Sequence, residues 1–273
     1  MTQPLVVLTY PDHFLLTALT IQSYLKHHNP SSITVIADDL SDQAGPNYIK
    51  DCKQQYDCQV VPVSTVAPAL PFANNSWIRQ QIVKLHLDQI LSDDVWFFTD
   101  GDVEYCFPVA YNTVPYSIVR GGQEQADQNA YVAMMLGIDT PGMHVQHPDI
   151  DWQPNNKDQV CVSNPPFRTM QAHTLQSLRT HIEQRHQKSM IEIHQKLNYL
   201  MSEWELIANF QVHVVKQSID LVYYPTLPLN ADIVTMANQP DYCKTCYHGD
   251  SEFDSYWWHQ KEIKDIRNRT NAR

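Results

Sequence analysis

The chain opens by alternating short apolar runs with amphipathic stretches. Leu5-Val6-Val7-Leu8 is an apolar run bounded by polar and turn-forming residues, which predicts a buried strand. Asp12 stands as an N-cap ahead of Phe14, Leu15, Ala18, Leu19, Gln22 and Leu25, which recur at helical spacing. Ile33 to Ala37 predicts a second strand ending at Asp38-Asp39, Tyr48 to Tyr56 a short helix, and Gln59 to Val63 a third strand. A Pro- and Ala-rich loop from Ser64 to Asn75 leads into an amphipathic helix that begins at Trp77 and carries on to Ile90 and Leu91. Val95-Trp96-Phe97-Phe98 then predicts a fourth strand.

Beyond Ser117–Gly122, itself the end of a strand, the periodicity weakens. Thr140 to Pro166 reads as a long polar, proline-bearing loop, of the length at which loops carry function. Helical spacing returns from Thr169 to about Arg185 and from Met190 to Leu200. Ser202-Glu203-Trp204-Glu205 has the form of a capping box opening another helix, and a strand near Leu221–Tyr224 follows.

Strands separated by helices imply βαβ units, hence an α/β fold with a mixed, mainly parallel sheet flanked by helices and a helical C-terminal part. Residues 1–240 read as one domain, with a first half to about residue 125 and a second half after it. Residues 241–273 form a tail, aromatic and then basic. In such sheets ligands sit beyond the carboxyl ends of the strands. Thr9-Tyr10, Asp38-Asp39 and Asp100-Gly101-Asp102 all fall at that edge.

Composition narrows the classes. Apolar content of 43% and charged content of 18% suit a globular chain of 273 residues, and no apolar run approaches the roughly 18 residues of a membrane span. The N-terminal stretch lacks the pattern of a signal peptide, so a cytoplasmic location is expected. The formal net charge of −11 opposes a nucleic-acid grip, although Lys261, Lys264, Arg267, Arg269 and Arg273 gather in the tail. Six cysteines make no disulfide framework; Cys52 and Cys58 are a possible pair, and the lone Cys243-Lys-Thr-Cys246 has no second half to complete a zinc site.

The sharpest chemistry lies in Thr99-Asp100-Gly101-Asp102-Val103-Glu104-Tyr105. Extended residues two apart point to the same side, so Asp100 and Asp102 can share a divalent cation, Mn²⁺ or Mg²⁺, whose other ligands come from water and substrate phosphates. Gly101 is expected to let a bulky ligand approach the backbone. Glu104 shares their parity but leaves the strand edge, which suits a supporting place behind the pair.

This arrangement resembles the GT-A nucleotide-sugar glycosyltransferases, with their Rossmann-like sheet and D-x-D metal motif after a central strand. Ser76-Trp77-Ile78-Arg79-Gln80-Gln81-Ile82-Val83-Lys84-Leu85, the D-x-D after it and Ser202-Glu203-Trp204-Glu205-Leu206 are similar, in order, to a bacterial and viral glycosyltransferase-like group. That group carries W-x-x-Q-Q-x-x-K-L, D-x-D and S-E-x-E motifs, more often with Leu-Asp-Ala-Asp where this chain has Thr-Asp-Gly-Asp. The resemblance spans roughly residues 5 to 215.

The resemblance implies a metal-dependent transfer from a nucleotide-sugar donor, a UDP-sugar by expectation, to an acceptor hydroxyl on a glycan or small compound, or on a modified DNA base. Thr9, Tyr10, Asp38 and Asp39 are the expected nucleoside contacts. Arg79 and Lys84 are expected at the donor sugar or diphosphate, with a solvated helix face as the plain alternative for Lys84. Arg120, Gly121 and Gly122 are expected to line the donor sugar pocket, or to make a tight turn. His248 is the expected third metal ligand, since imidazole suits Mn²⁺. Glu203 is the expected general base, because the capping box already accounts for Glu205. The rival readings are a nucleotidyltransferase and a noncatalytic nucleotide-sugar-binding module.

Overall fold

Alternating side chains decide which way each strand of the central sheet faces. The computed structural model describes residues 2–66, 76–105, 109, 114–120, 123–139, 158–161, 167–194, 202–217, 221–223 and 244–245. In chain order the elements are β1 (Leu5–Thr9), α1 (Phe14–Leu25), β2 (Ile33–Ala37), α2 (Tyr48–Tyr56), β3 (Gln59–Pro62) and the single turn α3 (Val63–Val66). Then come α4 (Ser76–Leu85), β4 (Val95–Asp100), β5 (Val103–Glu104), β6 (Val114–Arg120), α5 (Gln123–Leu136), β7 (Asp158–Cys161) and β8 (Phe167–Gln171). The rest are α6 (Ala172–His186), α7 (Met190–His194), α8 (Glu203–Asn209), β9 (Leu221–Tyr223) and β10 (Lys244–Thr245).

The main sheet has the order β3-β2-β1-β4-β8. Its first four strands are parallel and β8 closes the edge antiparallel to β4. This is the α/β class expected from the sequence, a mixed and mainly parallel sheet flanked by helices. Period-two alternation builds two cores. Val6, Leu8, Ile36, Trp96, Phe98 and Met170 point to the face covered by α4 to α8. Leu5, Val7, Val35, Val60 and Phe97 point to the face covered by α1 and α2.

Several expectations are corrected. Phe167–Gln171 is strand β8, not the start of a helix, because Arg168 and Met170 alternate onto the buried face opposite Phe98 and Trp96. A 3-10 turn at Pro11–His13 precedes α1, whose N-cap position is His13 rather than Asp12, with no side-chain cap bond. The helix that begins α4 stops at Leu85 and gives way to a 3-10 turn, Leu87–Gln89. Helix α5 and strand β7 occupy stretches read as irregular or as loop. Cys52 and Cys58 are both free thiols. The Ser202 cap stands: its hydroxyl accepts from Glu205 N–H, and α8 follows.

Candidate active site

The strand order reverses at β1, which lies between β2 and β4. In an open parallel sheet a crevice opens beyond the carboxyl ends of strands at such a reversal. Leu8 pairs with Asp100 across it. The chain turns there at Gly101, where a neighbour of its own chain demands glycine. A Cβ at Gly101 would meet Thr17 Oγ1 and lie 2.6 Å from the Leu8 carbonyl oxygen. The chain after the turn is then pinned along α1 by hydroxyls three residues apart. Thr17 Oγ1 lies 3.3 Å from the Gly101 oxygen, while the Val103 and Tyr105 N–H groups donate to Thr20 Oγ1 and Ser23 Oγ, each at 3.0 Å. Three residues are nearly one helical turn and two are one strand period, so the segments run in step along this short stretch.

Asp100 has the parity of Phe98 and turns toward α4 and α8. Lys84 Nζ sits 2.7 Å from Asp100 Oδ1 and 2.7 Å from Glu203 Oε1. The ammonium also lies 5.2 Å from the Trp204 ring centroid and 5.7 Å from that of Phe98, within cation–π range. Burial alone would lower the Lys84 pKa, but Asp100 and Glu203 outweigh it and hold the ammonium above its ordinary value. Glu203 is 1% exposed. Burial raises its carboxyl above the usual range, with Lys84 opposing and Asp100 adding. Glu203, the expected general base, is a buried partner of Lys84 where α8 packs against α4.

Asp102 lies 3.9 Å from His13 Nδ1, and burial and then the Asp100 charge raise its carboxyl against the pull of Lys84. Arg168 lies on β8, whose last three residues fall inside the helical spacing that starts at Thr169; the Phe-Arg-Thr-Met-Gln alternation is the sequence signal that marks it. Its guanidinium lies 5.8 Å from the Trp204 ring and donates from Nη2 to Gln211. Burial lowers its pKa to about 10, with Glu203 and Glu205 pulling the other way. Four carboxylates (Asp100, Asp102, Glu203, Glu205) thus share the cluster with two cations, and Asp102 and Glu203 are both pushed toward their protonated forms. Asp100 and Asp102 keep 23% and 15% side-chain exposure, whereas Glu203 and Lys84 are sealed. Two accessible carboxylates supply the hard oxygen donors that fit Mg²⁺ or Mn²⁺. Among the described residues no cluster of three or more His, Cys, Asp or Glu side chains stands ready to hold a metal.

The other edge residues are more enclosed. Thr9 has the parity of Leu5 and Val7 and turns inward, its Oγ1 2.6 Å from Thr17 Oγ1. Asp38 is gripped by Arg79, whose Nε and Nη2 each donate at 2.8 Å. Asp39 accepts from the N–H and hydroxyl of Ser64 at the start of α3. Tyr10 remains partly exposed at the end of β1, its ring 3.8 Å from that of His13. Arg79 and Lys84 lie five residues apart on one helix. Helix α4 thus delivers one cation to each of two strand ends, Arg79 to Asp38 after β2 and Lys84 to Asp100 of β4.

Arg120 ends β6, but its side chain lies outside what the structure describes, as do those of Trp77 and Glu104. Gly121, Gly122, Cys243, Cys246, His248 and the basic tail Lys261–Arg273 lie outside the described residues. Strand β10 pairs antiparallel with β5, Thr245 opposite Val103 and Lys244 opposite Glu104, directly after Asp102. No described helix is long and apolar enough to cross a membrane.

No family model matches the chain, and no curated protein matches it. Among solved structures it is similar to the galactosyltransferase LgtC in complex with donor and acceptor sugar analogues, at 9% identity and TM-score 0.45, over 97% of this chain and 95% of that one. An active-site mutant of LgtC gives 10% identity and TM-score 0.48 over the same shares. Glucosyl-3-phosphoglycerate synthase from Mycobacterium tuberculosis, in complex with Mn²⁺, UDP and phosphoglyceric acid, gives 13% identity and TM-score 0.42, over 88% of this chain and 75% of that one. None of the three reaches a TM-score of 0.5, so the functional reading stands on this chain's own residues.

Proposed function

We propose that the chain is a metal-dependent glycosyltransferase that moves a sugar from a nucleotide-sugar donor, with uridine diphosphate as carrier, to a hydroxyl of a glycan or small acceptor. The observation that carries this reading is the Asp100–Asp102 pair, partly exposed beyond the end of β4. Mn²⁺ or Mg²⁺ held by these carboxylates would neutralise the donor diphosphate and stabilise it as the leaving group. Tyr10 offers the nucleoside an aromatic surface at the end of β1, with the Asp38–Asp39 edge beside it. The Arg79–Asp38 pair fixes that edge rather than contacting donor directly.

His248 is proposed as a third ligand: it follows Thr245 by three residues, and Thr245 pairs beside the D-x-D turn. Arg120, Gly121 and Gly122 are proposed at the donor sugar. Nothing in the described residues favours a modified-DNA acceptor. A nucleotidyltransferase needs a glycine-rich basic phosphate loop after β1, and here Tyr10-Pro11-Asp12-His13 turns directly into α1.

The test is release of nucleoside diphosphate from a panel of nucleotide sugars. Release should require Mn²⁺ or Mg²⁺ and vanish in Asp102→Ala. Full turnover by folded Asp102→Ala overturns the metal assignment, while binding without turnover under any acceptor supports the binding-module reading.

A further inference from the structure

Lys84 is the feature that the proposed reaction leaves least explained. It is a buried ammonium set at equal distance between one proposed metal ligand, Asp100, and one sealed carboxylate, Glu203, at 2.7 Å from each. Trp204 and Phe98 enclose it. Asp100 is the partly exposed end of this bridge and Glu203 the buried end. A lysine side chain is long and rotatable, and an ammonium held from one side only would swing toward whichever anion is nearest. Glu203 supplies the second hold. It begins α8, whose first turn is fixed by the Ser202 cap, so its carboxylate is presented from a rigid element.

We propose that Lys84 is a resident counter-ion of the metal site and that Glu203 is its positioning residue. Resting on the metal reading above, the inference makes Lys84 a competitor of the divalent cation for Asp100. In the donor-free protein the ammonium already satisfies one Asp100 oxygen, so metal alone binds weakly. A donor diphosphate brings negative charge that both cations can share, which relieves the competition. Metal and nucleotide therefore enter as a cooperative pair, and Glu203 sets the strength of that coupling by governing how far Lys84 can move from Asp100. Since linkage is reciprocal, each ligand raises the affinity of the other by the same factor.

The experiment is a Mn²⁺ titration, followed by the electron paramagnetic resonance of free Mn²⁺, with and without uridine diphosphate. It uses the full chain, Lys84→Met, Glu203→Gln and the double variant, with circular dichroism and thermal melts as folding controls. Lys84→Met should bind Mn²⁺ alone roughly fivefold or more tightly than the parent and lose most of the enhancement by uridine diphosphate. Glu203→Gln, an isosteric change, should weaken Mn²⁺ binding, because Lys84 then rests on Asp100 alone. If Glu203 acts through Lys84, its substitution should have little effect in the Lys84→Met background.

Unchanged or weaker Mn²⁺ binding by folded Lys84→Met overturns the inference. So does an additive double variant. Should Lys84→Met not fold, tighter Mn²⁺ binding by Glu203→Gln is the overturning result. A parent chain that binds no Mn²⁺ under either condition overturns the metal reading itself, and this inference with it.

Discussion

Arg79 closes a two-pronged ion pair on Asp38 at the end of β2, with both side chains about 1% exposed. A guanidinium fork fits a carboxylate in this geometry and lysine does not. Removing one partner leaves a buried charge unpaired, so Arg79→Met should cost about 3–5 kcal/mol of stability. Joint replacement, Arg79→Met with Asp38→Leu, should cost clearly less, because no buried charge is left alone. Urea denaturation of the two variants checks the contrast.

Gly101 should tolerate no side chain. A Cβ there meets the Leu8 backbone oxygen at 2.6 Å as well as Thr17, and backbone cannot step aside as a flexible side chain does. Gly101→Ala should cost about 1–3 kcal/mol by overpacking. It should also weaken Mn²⁺ binding, since the turn sets Asp100 and Asp102 against each other. Thr17→Ser, which keeps the hydroxyl, should have the milder effect on both measurements.

His194 should make the fold acid-sensitive. Its Nδ1 lies 2.6 Å from the Met190 carbonyl oxygen and its Nε2 2.5 Å from Tyr131 Oη, so the neutral ring donates from Nδ1 and accepts from the phenol. Burial pushes its pKa down to about 4 from 6.5, the Met190 carbonyl opposing and His86 adding to the fall. The unfolded chain then binds more protons than the folded one between those values. The stability from this group is full above about pH 6.5 and is lost as pH falls toward 4. His194→Gln should flatten the decline between pH 7 and pH 5 by up to about 2 kcal/mol, as measured by denaturation at pH 7, 6 and 5.

Much of the N-terminal half was legible because its signals are local. Leu5–Leu8, Ile33–Ala37 and Val95–Phe98 are apolar runs of strand length, and each lies inside a strand of the main sheet. The acidic turn after the fourth strand was readable for the same reason. Contacts made across the chain were not. Gly101 looked like room for a ligand until α1 was placed against it. Glu203 looked like an available base until α8 brought it onto Lys84, more than a hundred residues away in sequence. Strand β8 is five residues long and runs directly into α6, so helical periodicity overwrote its alternation.

The central claim, a nucleotide-sugar site assembled on Asp100 and Asp102, is tested most directly by thermal stability in a panel of nucleotide sugars with and without Mn²⁺. A ligand that binds only the folded state raises its melting temperature by mass action, on the order of 5 °C at a hundredfold excess over its dissociation constant. The account predicts that a uridine-diphosphate sugar stabilises the chain only when Mn²⁺ is present, and that folded Asp102→Ala loses the shift. A shift retained in Asp102→Ala, or no response to any nucleotide sugar with Mn²⁺, would contradict it.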